Sequence, residues 1–205
     1  MLFHGQIDRI DTYRHSDGRL YLRVVDYKTG AKTFSVEDVK KGKNLQMLLY
    51  LFSLWRSKNT DFSALLGLKE GETVMPAGIS YMLASVKDVP LDAPKSVEEV
   101  KGAAKDKLQR SGLTLADEEI VKALDKFLSG HYLPVKKDKN GEIAWDKSFA
   151  SLEEMGALFD EMQAVVSEIG GNMRKGKACA EPSEEPLGRG TVCDSCAFKP
   201  ICRRY

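Results

Sequence analysis

Apolar positions along the chain set out its elements before any chemistry is considered. Phe3 to Thr12 and Leu20 to Tyr27 read as two antiparallel strands. The polar turn between them, Arg14 to Arg19, contains His15-Ser16-Asp17-Gly18, and its Asp-Gly end favours a tight reversal. Val24 and Val25 are consecutive, so both faces of the second strand are expected to be covered. Gly30 ends that strand and 31–35 is a loop. Ser35, followed by Asp38 in an acidic first turn, predicts a helix start. From there one helix is expected to run from Val36 to Lys58, with Leu45, Leu48, Leu49, Phe52 and Trp55 at helical spacing.

Further along, 60–73 reads as a loop with a short helical piece, and Ile79 to Ser85 as a third strand after Met75-Pro76-Ala77-Gly78. Helices are expected over 96–110 and 115–127. An irregular hairpin over 132–145 turns at Asn140-Gly141. The last helix, Ser151 to Ile169, has Ser151 and Glu154 at capping-box spacing and Gly170-Gly171 as its stop. No internal repeat or low-complexity run is present.

Composition narrows the class. The 205 residues are 42% apolar, enough for one sizeable domain with an appendage. The net charge is +1, so nucleic-acid binding would depend on local patches. No run of 18 apolar residues exists, which argues against a membrane partner, and no signal peptide is visible, which predicts a cytoplasmic protein. Met1-Leu2-Phe3-His4 leads almost directly into the first strand, so the sequence reads as starting inside a longer domain.

The chemistry concentrates on the two N-terminal strands. Asp26 and Lys28 fall on one face of the second strand, about 6.5–7 Å apart along it. Strands pair about 4.8 Å apart, so Asp8 on the first strand comes to face Asp26. Alone, such an alternation also suits the wet face of a hairpin. At the end of a doubly covered strand, charge needs a reason. Two carboxylates suit Mg²⁺, a hard cation, and a neighbouring lysine suits a water or phosphate oxygen. Gln46 and Tyr50 share one face of the expected helix, with Lys43 one turn earlier.

The tail has different chemistry. Cys193-x2-Cys196-x5-Cys202 places three thiols within ten residues, a metal-ligand spacing more than a disulfide one. Zinc and an iron–sulfur cluster both accept four thiolates, and the spacing suits either. The remaining cysteine, Cys179, would complete the site or be buried as a small apolar residue.

These motifs resemble the PD-(D/E)XK nuclease superfamily, in its RecB-like branch. Gly5-x-x-Asp8-Arg9-Ile10-Asp11 is similar to the first motif of that branch, Asp26-Tyr27-Lys28-Thr29-Gly30 to its D-Y-K-[ST] motif, and Gln46-x-x-x-Tyr50 to its Q-x-x-x-Y helix. With the cysteine tail, the likeness extends to the C-terminal nuclease domain of the AddB component of bacterial AddAB helicase–nucleases. It implies an α/β, restriction-endonuclease-like fold, a central mixed sheet flanked by helices, plus a C-terminal cysteine-rich tail. The expected organisation is a nuclease core with a helical insertion over 1–172 and a cysteine segment over 173–205.

The resemblance also implies roles. Asp8, Asp26 and the Tyr27 carbonyl would hold Mg²⁺, Lys28 would position the water, and Gln46 and Tyr50 would support the site. Cys193, Cys196 and Cys202 would ligate a [4Fe-4S] cluster. In that family the fourth cysteine precedes the nuclease motifs, and none precedes Gly5 here, so it is expected outside this sequence and Cys179 is not expected as a ligand. The implied activity is a Mg²⁺-dependent exonuclease or single-strand endonuclease in double-strand break repair. Its partners would be DNA and an AddA-like helicase–nuclease partner in a heterodimer. Two alternatives share the motifs: a stand-alone iron–sulfur nuclease of the CRISPR-adaptation type, and a non-catalytic DNA-binding scaffold.

Overall fold

The computed structural model describes residues 4–30, 32–84, 96, 109–130, 132–177, 193, 194 and 196–202. Two compact units emerge, 1–166 and 167–205. The first is built on a five-stranded mixed sheet of β1 (Arg9–Arg14), β2 (Leu20–Lys28), β3 (Val74–Leu83), β4 (Ser111–Leu115) and β7 (Phe149–Ala150), in the order β1-β2-β3-β4-β7. β1 runs antiparallel to β2, β2 parallel to β3, β3 antiparallel to β4, and β4 parallel to β7. A separate ribbon pairs β5 (Lys136–Lys137) with β6 (Ile143–Ala144). The mixed sheet with flanking helices agrees with the expected fold class.

The N-terminal hairpin forms as anticipated, with two changes. β1 starts only at Arg9, so Asp8 stands on a bend immediately before the strand. β2 extends through Lys28, whose carbonyl accepts from the Ala84 N–H at 2.8 Å. Gly18, at φ +83°, makes the turn that an L side chain would strain.

The single helix expected over 36–58 is two helices, α1 (Val36–Lys40) and α2 (Leu45–Trp55). The break lies at Gly42 (φ +74°) and Asn44 (φ 55°), both left-handed. Asp38 holds it open: its carbonyl accepts from the Lys43 N–H at 2.8 Å, and its carboxylate accepts from Asn44 Nδ2 at 2.7 Å. Lys43 therefore sits in the break and not on the helix face with Gln46. Ser35 occupies the N-cap position without a side-chain capping bond. α3 (Thr60–Leu65) is the short helical piece, capped by Asn59, whose side chain accepts from the Phe62 N–H.

β3 begins five residues earlier than expected and takes in Pro76 and Gly78. The β2 register skips Ala77 there, pairing Leu22 with Pro76 and Arg23 with Gly78. Such a bulge tolerates a proline without an N–H and a glycine at φ +134°. The short strands β4 and β7 were not anticipated. The helix expected over 115–127 is α4 (Glu118–Leu124), with Asp117 as its cap. The helix expected over 96–110 and Cys179 lie outside the described residues, apart from Ser96, Gln109 and Arg110.

The expected hairpin near 140 is present as β5 and β6, with Gly141 at φ +83°. α5 (Leu152–Arg174) opens on the expected capping box: the Glu154 N–H donates to Ser151 Oγ and the Ser151 N–H to Glu154 Oε2. It runs straight through Gly170-Gly171 and ends near Gly176, at φ +66°. A mid-helix glycine costs only about 1 kcal/mol against alanine, which the rest of a long helix overrides.

The main core covers one face of the sheet. Leu22, Val24, Ile79 and Leu113 meet Met47, Leu48, Leu51 and Phe52 of α2 and Met155, Leu158 and Met162 of α5. Phe52 and Phe159 stack edge to face, 5.0 Å apart. Burying each large side chain of this set stabilises the fold by roughly 1.5–3 kcal/mol. This packing fixes α2 against β2 and β3, which brings Gln46 and Tyr50 toward the end of the hairpin.

Candidate active site

Alternation along β2 sends Asp26 and Lys28 to the same side as Val24, the side covered by α2. Asp26 is buried, and its Oδ2 lies 2.5 Å from Lys28 Nζ in an ion pair. Among the described residues that oxygen has no hydrogen-bond partner of ordinary geometry, and it is buried. A buried carboxylate with one lysine and spare lone pairs is set to accept a cation.

Asp8 reaches the same place from the bend before β1. Its Oδ2 accepts from the Tyr27 N–H at 2.9 Å, which pins an exposed carboxylate against the Asp26-Tyr27-Lys28 backbone. Tyr27 turns its ring to the other face of the sheet, where its Oη accepts from Arg9 Nη1 at 3.2 Å. The ring therefore stays clear of Asp26 and leaves only the main chain of Tyr27 beside the carboxylates.

Gln46 and Tyr50 are also brought in. Gln46 Nε2 donates to Tyr50 Oη at 3.2 Å. The Tyr50 ring fills the space beside Gly5: a Cβ at Gly5 would fall 2.5 Å from Tyr50 Oη and 2.7 Å from its Cε1. The glycine of the first motif thus lets the segment that carries Asp8 lie flat against the helix that carries Tyr50. Position in the chain suggests neither this contact nor its reason.

Tyr81 is a residue that sequence reasoning missed. It is the β3 partner of Asp26, it is buried, and Lys28 Nζ lies 5.9 Å from its ring centroid. A cation beside an aromatic face is stabilised there. Burial and the nearby Asp26 charge push the Tyr81 hydroxyl above its ordinary value, so at neutral pH it is a neutral wall for Lys28. Nothing in a mostly apolar strand marks this tyrosine; only the parallel register puts it next to Asp26.

The other face of the hairpin is a basic network. Asp11 binds Arg9 and Arg23, each at 2.6 Å. Burial works to raise the Asp11 pKa, but the hydrogen bonds from Arg23 and Arg9 outweigh it and hold the carboxyl below its usual range.

The cysteine segment belongs to the second unit. Cys193 and Cys202 are half-buried, Cys196 is exposed, and all three are free thiols. The Cys196 N–H donates to the Cys193 carbonyl at 3.3 Å, and the Cys202 N–H to that of Phe198 at 2.8 Å, so the segment turns back on itself. Among the described residues, no three His, Cys, Asp or Glu side chains converge on one metal position. No helix among them is long and apolar enough to cross a membrane.

Comparison with known proteins follows the same lines. The pattern of the PD-(D/E)XK nuclease superfamily matches residues 1–203. The chain is 34% identical to the B-type subunit of the ATP-dependent helicase/deoxyribonuclease of Alkaliphilus oremlandii over 203 residues, 97% of this chain and 16% of the relative. It is 32% identical to the protein of the same name from Symbiobacterium thermophilum, over 99% of this chain and 16% of the relative. For that of Acetivibrio thermocellus the identity is 30%, over 97% and 17%. The chain spans about one sixth of the length of these relatives. A match this continuous, over a mixed sheet that carries its motifs at one edge, settles the family: the chain belongs to the PD-(D/E)XK nuclease superfamily.

Proposed function

We propose that this chain is the Mg²⁺-dependent deoxyribonuclease domain of an AddB-like helicase–nuclease component. It would cut single strands of unwound DNA during double-strand break repair, beside a motor-bearing, AddA-like partner. Enzymes of this superfamily generally use divalent metal ions. The observation that carries the reading is the Asp26–Lys28 pair at the end of β2, with Asp8 tied to the Tyr27 N–H beside it.

In this reading Asp8, Asp26 and the Tyr27 carbonyl would hold the ion. Mg²⁺ suits two carboxylates that leave room for water and phosphate oxygens. When bound, the ion would supply positive charge to a phosphate oxygen and to the water that attacks it. Lys28 exchanges its contact with Asp26 for one with the attacking water or a phosphate oxygen, and stabilises charge as it develops. Tyr81 bounds the space in which the ammonium moves. Tyr50, braced by Gln46 and Gly5, holds the Asp8 segment in place.

The length of the relatives favours a helicase–nuclease component over a stand-alone nuclease. The intact acidic pair and lysine favour an enzyme over an idle scaffold. We also infer that Cys193, Cys196 and Cys202 ligate a [4Fe-4S] cluster with a fourth thiolate from elsewhere in the intact protein. Three free thiols in one turning segment are a donor set suited to it. Iron and sulfide analysis with an ultraviolet–visible spectrum of the intact protein tests that inference.

The nuclease reading is tested by cleavage of labelled single-stranded DNA by the intact protein with Mg²⁺ and with EDTA. Cleavage should need the metal and fall by at least a hundredfold in Asp26→Asn. Undiminished cleavage by that variant overturns the assignment.

A further inference from the structure

A cleft of about 870 Å³ opens from the site, bounded at one end by Lys28 and Tyr81. Among the described residues its lining carries four cations, Lys28, Lys32, Arg110 and Lys147, against one carboxylate, Glu37. The whole chain, by contrast, is nearly neutral at +1. Lys32 and Lys147 are exposed. Neither has an ion-pair partner among the described residues. The wall between these cations is apolar, from Phe34, Met82, Leu83 and Pro134.

We propose that this cleft seats the single strand next to the scissile phosphate, with Lys32, Arg110 and Lys147 contacting its backbone. The proposal rests on the nuclease reading and names the strand path of that same site. Phosphates need cations, and unpaired bases need apolar surface, and this cleft offers both side by side. A duplex keeps its base faces stacked inside and has no use for the apolar wall.

The cleft is a built feature. The Phe34 N–H donates to Ser111 Oγ at 2.9 Å and fastens the loop that carries Lys32 to the start of β4, next to Arg110. Arg110 is half-buried, and its guanidinium lies 5.3 Å from the Tyr132 ring centroid, so it is aimed and not free to swing. Burial, then repulsion from Arg23 and Arg9, lowers its pKa from the ordinary value. Asp11, which binds Arg9 and Arg23, attracts Arg110 as well, and the three guanidinium groups share this one carboxylate.

The experiment measures binding of a fluorescein-labelled oligo-dT strand to the intact protein in EDTA, by anisotropy over a range of salt. It is paired with steady-state cleavage in Mg²⁺. Each lost phosphate contact should reduce the slope of log K against log salt by about 0.7, so the Lys32→Gln/Arg110→Gln/Lys147→Gln variant should lose about 2. KM for cleavage should rise at least tenfold while kcat stays within about twofold. If the triple variant fails to fold, the Lys32→Gln/Lys147→Gln variant, changed only at exposed side chains, should still lose about 1.4 of slope. An unchanged slope in a folded variant whose parent cleaves overturns the strand path and leaves the nuclease reading standing. A parent protein that does not cleave at all overturns the nuclease reading itself.

Discussion

The carboxylate of Asp8 accepts from the backbone N–H of Tyr27 at 2.9 Å, although Asp8 lies outside the paired part of β1. This contact couples the first motif to the second without a ladder bond. It predicts that Asp8→Asn, which keeps an acceptor oxygen, folds like the parent but loses metal-dependent cleavage. Asp8→Ala should lose cleavage and also about 1 kcal/mol of stability. Denaturant midpoints and Mg²⁺-dependent cleavage of the two variants check this; a cleaving Asp8→Asn would remove Asp8 from the metal site.

Lys28→Ala should abolish cleavage, and it should also destabilise the protein. A lysine at a sheet edge would be dispensable to the fold, but this one offsets a buried Asp26. Breaking a fully buried pair costs roughly 3–5 kcal/mol; Lys28 is 34% exposed, so about 1–3 kcal/mol is expected. The Asp26→Asn/Lys28→Ala double variant should regain most of that loss. Equal stabilities for the single and double variants would show that the pair is not coupled.

Gly5→Ala should cost activity more than stability. The new methyl meets the end of the Tyr50 side chain, which can swing away at about 1–2 kcal/mol, the low end of overpacking costs. Swinging it breaks the bond from Gln46 and loosens the Asp8 segment. A tenfold or larger loss of kcat with a small change in melting temperature is the expected result. Pairing Gly5→Ala with Tyr50→Leu should restore the melting temperature and not the activity.

The β1–β2 turn should set the acid limit of the fold. Glu119 of α4 accepts from the Ser16 hydroxyl and N–H and from Tyr13 Oη, and its pKa is held low chiefly by the Ser16 hydroxyl. Asp17 is held low too: desolvation opposes, but hydrogen bonds from Arg19 and Tyr21 prevail. Asp11 behaves likewise against Arg23 and Arg9. A carboxylate with a depressed folded pKa takes up its proton more readily when unfolded. Its contribution is therefore present above the unfolded value, about 4, and is lost as pH falls through the lower folded value. Urea midpoints between pH 7 and pH 2 should drop below about pH 4, less steeply in Glu119→Gln. An identical pH profile in that variant would dismiss the turn as the cause.

The same turn predicts a basic limit. Burial, with the hydrogen bond to Asp17, raises Tyr21 to about 12. Its neutral form stabilises the fold fully below the ordinary value of 10 and ceases to do so as pH rises through about 12. Tyr21→Phe should be less stable at neutral pH and lose less on going from pH 9 to pH 12, as read from urea midpoints.

Local signals in the sequence determined the hairpin, the capping box of α5 and the small ribbon, because each depends on neighbours within a few residues. Val24-Val25 ahead of Asp26 marked a covered strand ending in charge, and the structure buries Asp26 there. What the sequence misjudged was continuity. Gly42 and Asn44 in left-handed conformations split one expected helix in two, while Gly170-Gly171 failed to stop another. The break is held by Asp38, which accepts from the Lys43 N–H and from Asn44 Nδ2, while a long helix overrides the cost of about 1 kcal/mol that each glycine carries. The extension of β3 through Pro76 depended on a bulge against β2, and the strands β4 and β7 on partners far along the chain. Only the parallel register placed Tyr81 beside Asp26. Only chain crossing brought Tyr50 onto Gly5, and Arg110 and Lys147 to one cleft with Lys32. The candidate site residues were legible because motif spacing within a strand or helix fixes which side chains share a face. The residues that hold and extend the site were not, because contacts between distant segments leave no period in the sequence.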